Sequence, residues 1–338
     1  MSDTRKLRIG VWSLDHMHSR SYLEALRKRH DIGWVGLADE RNPHVARELA
    51  SRMGIAYVAS AAELLDSVDA VIITSANAEH RPMALVAAEA GVHALVEKPL
   101  ATDVADALAM IAAYAGSELV LATAFPCPFS PAFRALEARA TAGELGDLLA
   151  INSTNRGSMP GGFFIQVERS GGGAVIDHTV HVADLLRRLT HSEPVRVYAE
   201  VGHGMYHQPW DDSGLLTIEM ANGTVASLDC SWSRPRSFPT WGDVNLKVMG
   251  TRGSAEAALF GQHIVHYPAE AEPARWVSWG ADLDALMIDD FVGAIRDGRA
   301  PASTGMDGLR ALQVALAAYE SGKLGQPSAI PSIQSLGA

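Results

Sequence analysis

From residue 7 to residue 123 the chain repeats one unit, a short apolar run followed by a helical stretch, and that alternation limits the fold more than any other feature. Residues 7–12, 32–38, 56–58, 70–73, 93–96 and 119–123 read as strands. Residues 19–29, 43–53, 61–65, 81–90 and 104–115 carry helical patterns between them, with proline opening the second and glycine closing the fourth. Strands alternating with helices of this length predict a parallel sheet with right-handed crossovers. The pattern changes at Phe125-Pro-Cys-Pro, which reads as a hinge. Beyond it the chain is β-rich, with expected strands at 148–155, 195–201, 213–220, 225–233, 244–249 and 254–259. Asn222-Gly223 is a hairpin signal between two of them. Helices are expected at 131–142, 176–189, 283–297 and 307–321, and the tail from Gln326 reads as loose.

A chain of 338 residues is comfortable as two domains, divided here as 1–124 and 125–338. Its net charge of -11 argues against nucleic acid or an anionic membrane surface as the main partner. Cys127 and Cys230 supply neither a disulfide framework nor a Cys-x-x-Cys metal signature. No apolar run approaches the ~20 residues that span a bilayer. The first residues lead straight into a strand without a signal-peptide core, so a cytoplasmic protein is expected.

A parallel sheet opened by a strand and a sharp loop suggests a dinucleotide-binding, Rossmann-type fold. Asp39 follows the second strand, where a carboxylate accepts hydrogen bonds from both adenosine ribose hydroxyls and repels a 2′-phosphate. NAD is therefore expected over NADP, with nearby Arg41 weakening the discrimination. The glycine fingerprint is missing. In the loop Ser13-Leu-Asp15-His16-Met17-His18, the three glycine positions hold Ser13, Asp15 and His18. A carboxylate ~4 Å from a phosphate costs roughly 4 kcal/mol at an effective dielectric of 20. Asp15 either bears that cost or turns away to cap the following helix. A protonated His16 or His18 would offset part of it.

Three further motifs complete the pattern. Thr74-Ser75-Ala-Asn77 with His80 follows the fourth strand. Glu97-Lys98-Pro99 follows the fifth, holding a lysine at the carboxyl edge of the sheet, where open α/β folds place ligands. Gly171-Gly-Gly173 precedes Asp177 and His181. Together these resemble the Gfo/Idh/MocA oxidoreductase family, with its T-P-N-x-x-H loop, E-K-P hallmark and G-G-G-x-x-x-D-x-x-x-H motif. Gly250-Thr-Arg-Gly253 and Ala318-Tyr-Glu-Ser321 resemble its later landmarks. Ser75 replaces the loop's proline, and one extra residue precedes Asn77. The arginine that the family often carries near the start of its second domain has no counterpart in Phe125-Pro-Cys127-Pro-Phe129. The resemblance implies an N-terminal Rossmann-type parallel sheet and a C-terminal α/β domain with a large, mostly antiparallel sheet. Cofactor contacts are expected from Ser13, Asp15, His16, Met17, His18 and Asp39 and from Thr74, Ser75, Asn77, His80, Glu97 and Lys98, and the resemblance also implies a homodimer or homotetramer.

The chemistry expected is oxidation of a secondary hydroxyl in a sugar, inositol or related polyol. Asp177 and His181 lie four apart on an expected helix and so share a face. His181 is assigned as the base that takes the hydroxyl proton. Asp177 orients it or shares the proton, and Lys98 stabilises developing alkoxide character. Asn155, Arg156 and His178, with Trp232 and Trp241, are candidates for the substrate side; core aromatics and a plain connecting loop explain that stretch equally well. His178, His181 and Asp184, with His16, His18, His203 and His207 elsewhere, offer metal-ligand side chains, and no resident metal is expected. Two alternatives stay open: a ligand sensor that kept the fold and lost turnover, motivated by the missing glycines, and an NAD- or metal-assisted lyase or glycosidase.

Overall fold

The computed structural model describes residues 5–238, 240, 242–266, 275–278 and 280–332. They fall into two compact units. The first comprises the chain up to Phe125 together with Glu168–Gly171 and Asp284–Leu309. Its strands are β1 (Leu7–Trp12), β2 (Ile32–Ala38), β3 (Ala56–Val58), β4 (Ala70–Ile73), β5 (His93–Val96) and β6 (Leu121–Thr123). They form a six-stranded sheet in the order β3-β2-β1-β4-β5-β6, and every pairing is parallel. The helices α1 (Ser19–Arg27), α2 (Pro43–Met53), α3 (Ala61–Ser67), α4 (His80–Glu89) and α5 (Val104–Tyr114) are the crossovers. All four residues of β4 are buried, which is why that strand reads as an unbroken apolar run without alternation. Local signals set the helix ends. Pro43 opens α2, and Gly54, at φ +68°, closes it in the left-handed region. Ser60 accepts a hydrogen bond from the amide of Glu63 at the start of α3.

The second unit holds α6 (Pro131–Thr141), β7 (Leu148–Gly157), most of the change-over helix α7 (Val167–Ser170) being counted with the first unit, then α8 (Ala174–Thr190). It continues with β8 (Pro194–Gly202), β9 (Ser213–Met220), β10 (Val225–Ser231), β11 (Gly242–Gly250), β12 (Ser254–Ala258), β13 (His263–His266) and β14 (Arg275–Ser278). Of the last elements, α9 (Leu283–Asp297) belongs to the first unit from Asp284 on, α10 (Gly305–Leu324) belongs to the second from Arg310 on, and β15 (Ser328–Ala329) belongs to the second. A seven-stranded sheet runs β12-β11-β7-β10-β9-β8-β15. The β7–β10 pair is parallel and the others are antiparallel. The Asn222-Gly223 signal is a turn between β9 and β10, with Gly223 at φ +89°. The β13–β14 ribbon had no periodic signal in the sequence.

The tail is the clearest correction to the sequence reading. Residues 326–332 are not loose: β15 adds to the edge of β8, and Ile330 is buried. The buried Arg310 explains the anchoring. Its guanidinium donates to the Pro331 carbonyl at 2.7 Å and to Glu193 at 2.9 Å. Such a partner, arriving from a distant residue, leaves no local signature. Arg310→Ala is expected to lower unfolding free energy by about 1–3 kcal/mol, because charged hydrogen bonds are lost while a carbonyl stays behind. Urea unfolding of the variant measures it; an unchanged midpoint would show that the tail is held by something else.

Candidate active site

In the first unit the loop after β1 does the work of a glycine turn without glycines. Ser13 sits at φ +82°, the left-handed conformation that the first fingerprint glycine normally supplies. It is held there by its amide donating to Ala38 O at 2.8 Å, and by Thr74 Oγ1 donating to Ser13 O at 2.7 Å. Asp39, at the end of β2, is buried and accepts three amides: Leu14 at 2.8 Å, Arg41 at 2.9 Å and Asn42 at 2.8 Å. One carboxylate thus ties the β1 loop to the β2 loop. A cleft of about 380 Å³ opens at this carboxyl edge, lined by Trp12, Ser13, Asp39, Glu40, Arg41, Glu79 and Met83.

Asp15 neither caps α1 nor stands as an unpaired charge. Arg169 of α7 donates to Asp15 Oδ2 at 2.6 Å and to Glu79 Oε1 at 2.8 Å. Arg41 donates to the same Glu79 oxygen at 2.7 Å and lies 3.7 Å from Asp15. Two guanidiniums against two carboxylates remove the net charge that made Asp15 troublesome. The carboxylates in turn hold the Arg169 guanidinium above its ordinary value against the opposing effect of burial. Nothing in the sequence near Asp15 announces Arg169.

The histidines of the loop turn toward Glu97. His18 Nδ1 lies 3.0 Å and His16 Nδ1 3.5 Å from Glu97 Oε1, and Tyr22 donates its hydroxyl to the same oxygen at 2.5 Å. Glu97 Oε2 accepts the Lys98 amide at 3.0 Å. Burial alone would raise the Glu97 carboxyl; the charges of His16 and His18, His18's hydrogen bond and Lys98 pull it well below the usual carboxylate range. Burial, then Glu97, pushes the Tyr22 phenol well up, so it remains a donor. Among the described residues, His16, His18 and Glu97 are also a group with metal-ligand spacing, their ligand atoms within 4.8 Å of one another. Lys98 is buried just past β5, at the sheet's carboxyl edge.

The remaining first-unit candidates divide. His80 is fully buried, with Nδ1 3.0 Å from Pro99 O and Nε2 3.3 Å from Ser75 O. It braces the E-K-P turn, and burial pushes its imidazole below the ordinary value. Thr74 and Ser75 are buried and use their hydroxyls on backbone carbonyls, and Met17 is exposed. Asn77 is different. Its Nδ2 donates to Ser170 O at 2.8 Å, while its buried Oδ1 has no hydrogen-bond partner. An orphaned buried acceptor, a left-handed loop residue and a cleft beside Asp39 together fit a nicotinamide dinucleotide.

In the second unit the centre is α8, continuously buried from Ala174 to Leu186. Asp211 and Tyr319 satisfy its first amides. Asp211 accepts Gly173 N at 2.8 Å and Val175 N at 2.7 Å through its carboxylate, and Ala174 N at 2.9 Å through its carbonyl. The Tyr319 hydroxyl donates to Asp211 at 2.9 Å and lies 3.2 Å from the amides of Gly173 and Ile176. On this anchored helix, Asp177 Oδ2 accepts Trp232 Nε1 at 3.1 Å and lies 3.2 Å from His178 Nε2. His181 Nδ1 lies 3.9 Å from the Cys127 sulfur. The Pro-Cys-Pro segment thus places a thiol against the histidine. The sequence marks that cysteine as part of the hinge, with no sign of its contact to His181.

Neighbouring residues of β7 point to opposite faces, as strand geometry demands. Asn155 faces α8, donating to His178 O at 3.0 Å, and its buried Oδ1 has no hydrogen-bond partner. Arg156 lies on the other face, 3.4 Å from Asp243 and 3.8 Å from Asp229, so the two are not on one substrate wall. Asp184 accepts Arg188 Nε at 2.8 Å, and His203 and His207 belong to an exposed turn. Trp232 is a core aromatic packed edge-on to Trp210 at 5.3 Å. Trp241 lies outside the described residues.

Comparison with known proteins agrees with this arrangement. Residues 8–125 match the oxidoreductase family described as an NAD-binding Rossmann fold, and residues 133–256 match the GFO/IDH/MocA C-terminal domain. The chain is 27% identical over 335 residues to scyllo-inositol 2-dehydrogenase (NAD(+)) of Bacillus subtilis, covering 94% of each. It is 28% identical over 277 residues to 1,5-anhydro-D-fructose reductase of Ensifer adhaerens, covering 78% of this chain and 80% of that one. Among solved structures, GenD2 from gentamicin A biosynthesis in complex with NAD superposes with a TM-score of 0.86 at 26% identity, over 98% of both chains. The chain belongs to the GFO/IDH/MocA family of NAD-binding oxidoreductases.

Proposed function

We propose that the protein oxidises a secondary hydroxyl of an inositol, sugar or related polyol with NAD, using Lys98 and His181 as its polar catalytic groups. The observation that carries this reading is Lys98. An ammonium is buried at the carboxyl edge of a parallel sheet, its amide tied to Glu97, where packing has no use for a charge. NAD held in the cleft beside Ser13 and Asp39 would supply the hydride acceptor. His181 takes the hydroxyl proton on Nε2, since Nδ1 faces the Cys127 sulfur. Lys98 donates to the substrate oxygen and stabilises its alkoxide character. Asn155 Oδ1, an orphaned acceptor, receives a substrate hydroxyl, and Asp177 fixes the surrounding pocket through Trp232 and His178.

NAD is proposed over NADP because Asp39 is held rigidly by three amides, and Arg41, the nearby cation, is engaged by Glu79 and Asp15. The relatives named as inositol and anhydrosugar enzymes support the substrate class. Cytoplasmic residence and a homodimeric or homotetrameric assembly complete the proposal; among the described residues no helix is long and apolar enough to cross a membrane. The ligand-sensor alternative loses its motive where Ser13 takes up the glycine conformation.

The test is absorbance at the NADH band with a panel of inositols, aldoses and anhydrosugars, run with NAD and with NADP. At least one polyol should give turnover with NAD, at a kcat/KM at least about tenfold above that with NADP. Tight NADH binding with no turnover on the panel would favour the sensor, and elimination products would favour the lyase.

A further inference from the structure

We infer that the diphosphate of the cofactor is recognised on this chain by the side chain of His18 in place of the loop amides that a glycine-rich turn offers; the inference rests on the NAD-dependent reading above. In dinucleotide folds the first βα loop aims its N–H groups at the pyrophosphate, at the start of the following helix. Here five of the six amides from Leu14 to Ser19 already have acceptors. Leu14 N donates to Asp39, Asp15 N to Ser13 Oγ, His16 N to Thr74 O, His18 N to His16 Nδ1 and Ser19 N to His16 O. The loop has closed on itself, and the usual cradle is largely spent.

The same loop supplies a replacement. His18 is the residue immediately before α1 and makes no side-chain cap to that helix. Its Nδ1 is fixed 3.0 Å from Glu97 Oε1, while its Nε2 has no protein partner among the described residues. The side chain is 32% exposed, and the inference assigns this second nitrogen to the anion. An imidazolium anchored through one nitrogen and presenting the other N–H is a directed anion donor. The groups facing it are Glu97 beyond β5, Tyr22 on α1, His16 in the loop, Lys98, and Asp284 at the start of α9. Burial pulls the imidazole down; Glu97 by charge and hydrogen bond, with Asp284, outweighs it against Lys98 and leaves the value raised. The sign follows: the positive charge is present below that raised value and is lost as pH climbs through it. Asp15, the one carboxylate in the loop, is neutralised by Arg169 and does not oppose the anion.

Calorimetric titration of the purified protein with ADP-ribose and with adenosine, from about pH 6 to about pH 9, separates the diphosphate contribution from the rest. ADP-ribose affinity is expected to fall roughly ten- to a hundredfold across that range, and adenosine affinity to stay level. His18→Asn keeps an amide nitrogen near the Nδ1 position for Glu97 and removes the charge and Nε2. It should bind ADP-ribose at about pH 6 as weakly as the wild type does at about pH 9. His18→Lys restores a permanent charge and should bind tightly at every pH, a rescue that a purely structural role for His18 would not give. ADP-ribose affinity that ignores pH, or a His18→Asn variant as tight as the wild type at low pH, overturns the inference while leaving the NAD reading standing. A wild type that binds neither ligand overturns both.

Discussion

Lys98→Met and His181→Asn should each lower kcat on the cognate polyol by roughly two to four orders of magnitude, the range for losing a positioned acid or base. Both substitutions spare the packing. Methionine keeps the unbranched stem of Lys98, which is buried in the E-K-P turn, and deletes only the ammonium. Asparagine at His181 leaves an amide near the Nδ1 position that faces Cys127 and removes Nε2, the atom assigned the proton. For His181→Asn, which is assigned no role in holding the cofactor, the NADH dissociation constant should move by less than about threefold, placing the loss in the chemical step. Single-turnover rates with NAD and the best polyol, alongside NADH fluorescence titration, measure both quantities. Two variants that keep kcat within about twofold of wild type would remove these groups from the reaction.

How much of this was readable depended on how far apart in the chain the partners lie. The Rossmann-type sheet was legible because β4 and β5 are buried through nearly their whole length and write themselves as apolar runs. The GGG–Asp177–His181 motif located α8, whose burial is nearly continuous, but not its cap, because Asp211 and Tyr319 reach its first amides from distant segments. The loop after β1 was legible in sequence but not in meaning. Asp15 looked hostile to a phosphate because its partner Arg169 stands 154 positions away, and no local pattern encodes such a pairing. The sequence places His16 and His18 in the cofactor loop but gives no sign that their Nδ1 atoms face Glu97, 79 positions from His18. The separation of Asn155 and Arg156 is the opposite case: strand periodicity alone places adjacent residues on opposite faces, so that information was present in the sequence. The contact of Cys127 with His181, and the anchoring of the tail by Arg310, again join segments that only tertiary packing brings together.

Gly173→Ala is the substitution expected to damage the fold most, and the reason lies in how α8 begins. The first amides of a helix have no partner within it and must find acceptors elsewhere. Here they find one residue, Asp211, which takes Gly173 and Val175 on its carboxylate and Ala174 on its carbonyl, with Tyr319 beside the amide of Ile176. A methyl group at Gly173 would stand inside contact distance of the Asp211 carbonyl oxygen and within 3.0 Å of its carboxylate carbon. Both positions are fixed, because the clashing carbonyl is the one already engaged by Ala174. The clash cannot be relieved without detaching the cap, and a detached cap leaves several buried donors unsatisfied at once. The expected loss of unfolding free energy is about 3 kcal/mol or more, at the severe end for a single methyl. Tyr319→Phe, which removes one hydroxyl and keeps Asp211, should cost only about 1–2 kcal/mol. Because Asp177 lies in the first turn of α8 and His181 one turn further on, Gly173→Ala should also abolish turnover at temperatures where the protein is still folded. Urea denaturation and activity of the two variants give the ranking. If Gly173→Ala proves no less stable than Tyr319→Phe, the amides of α8 are held by something other than this cap.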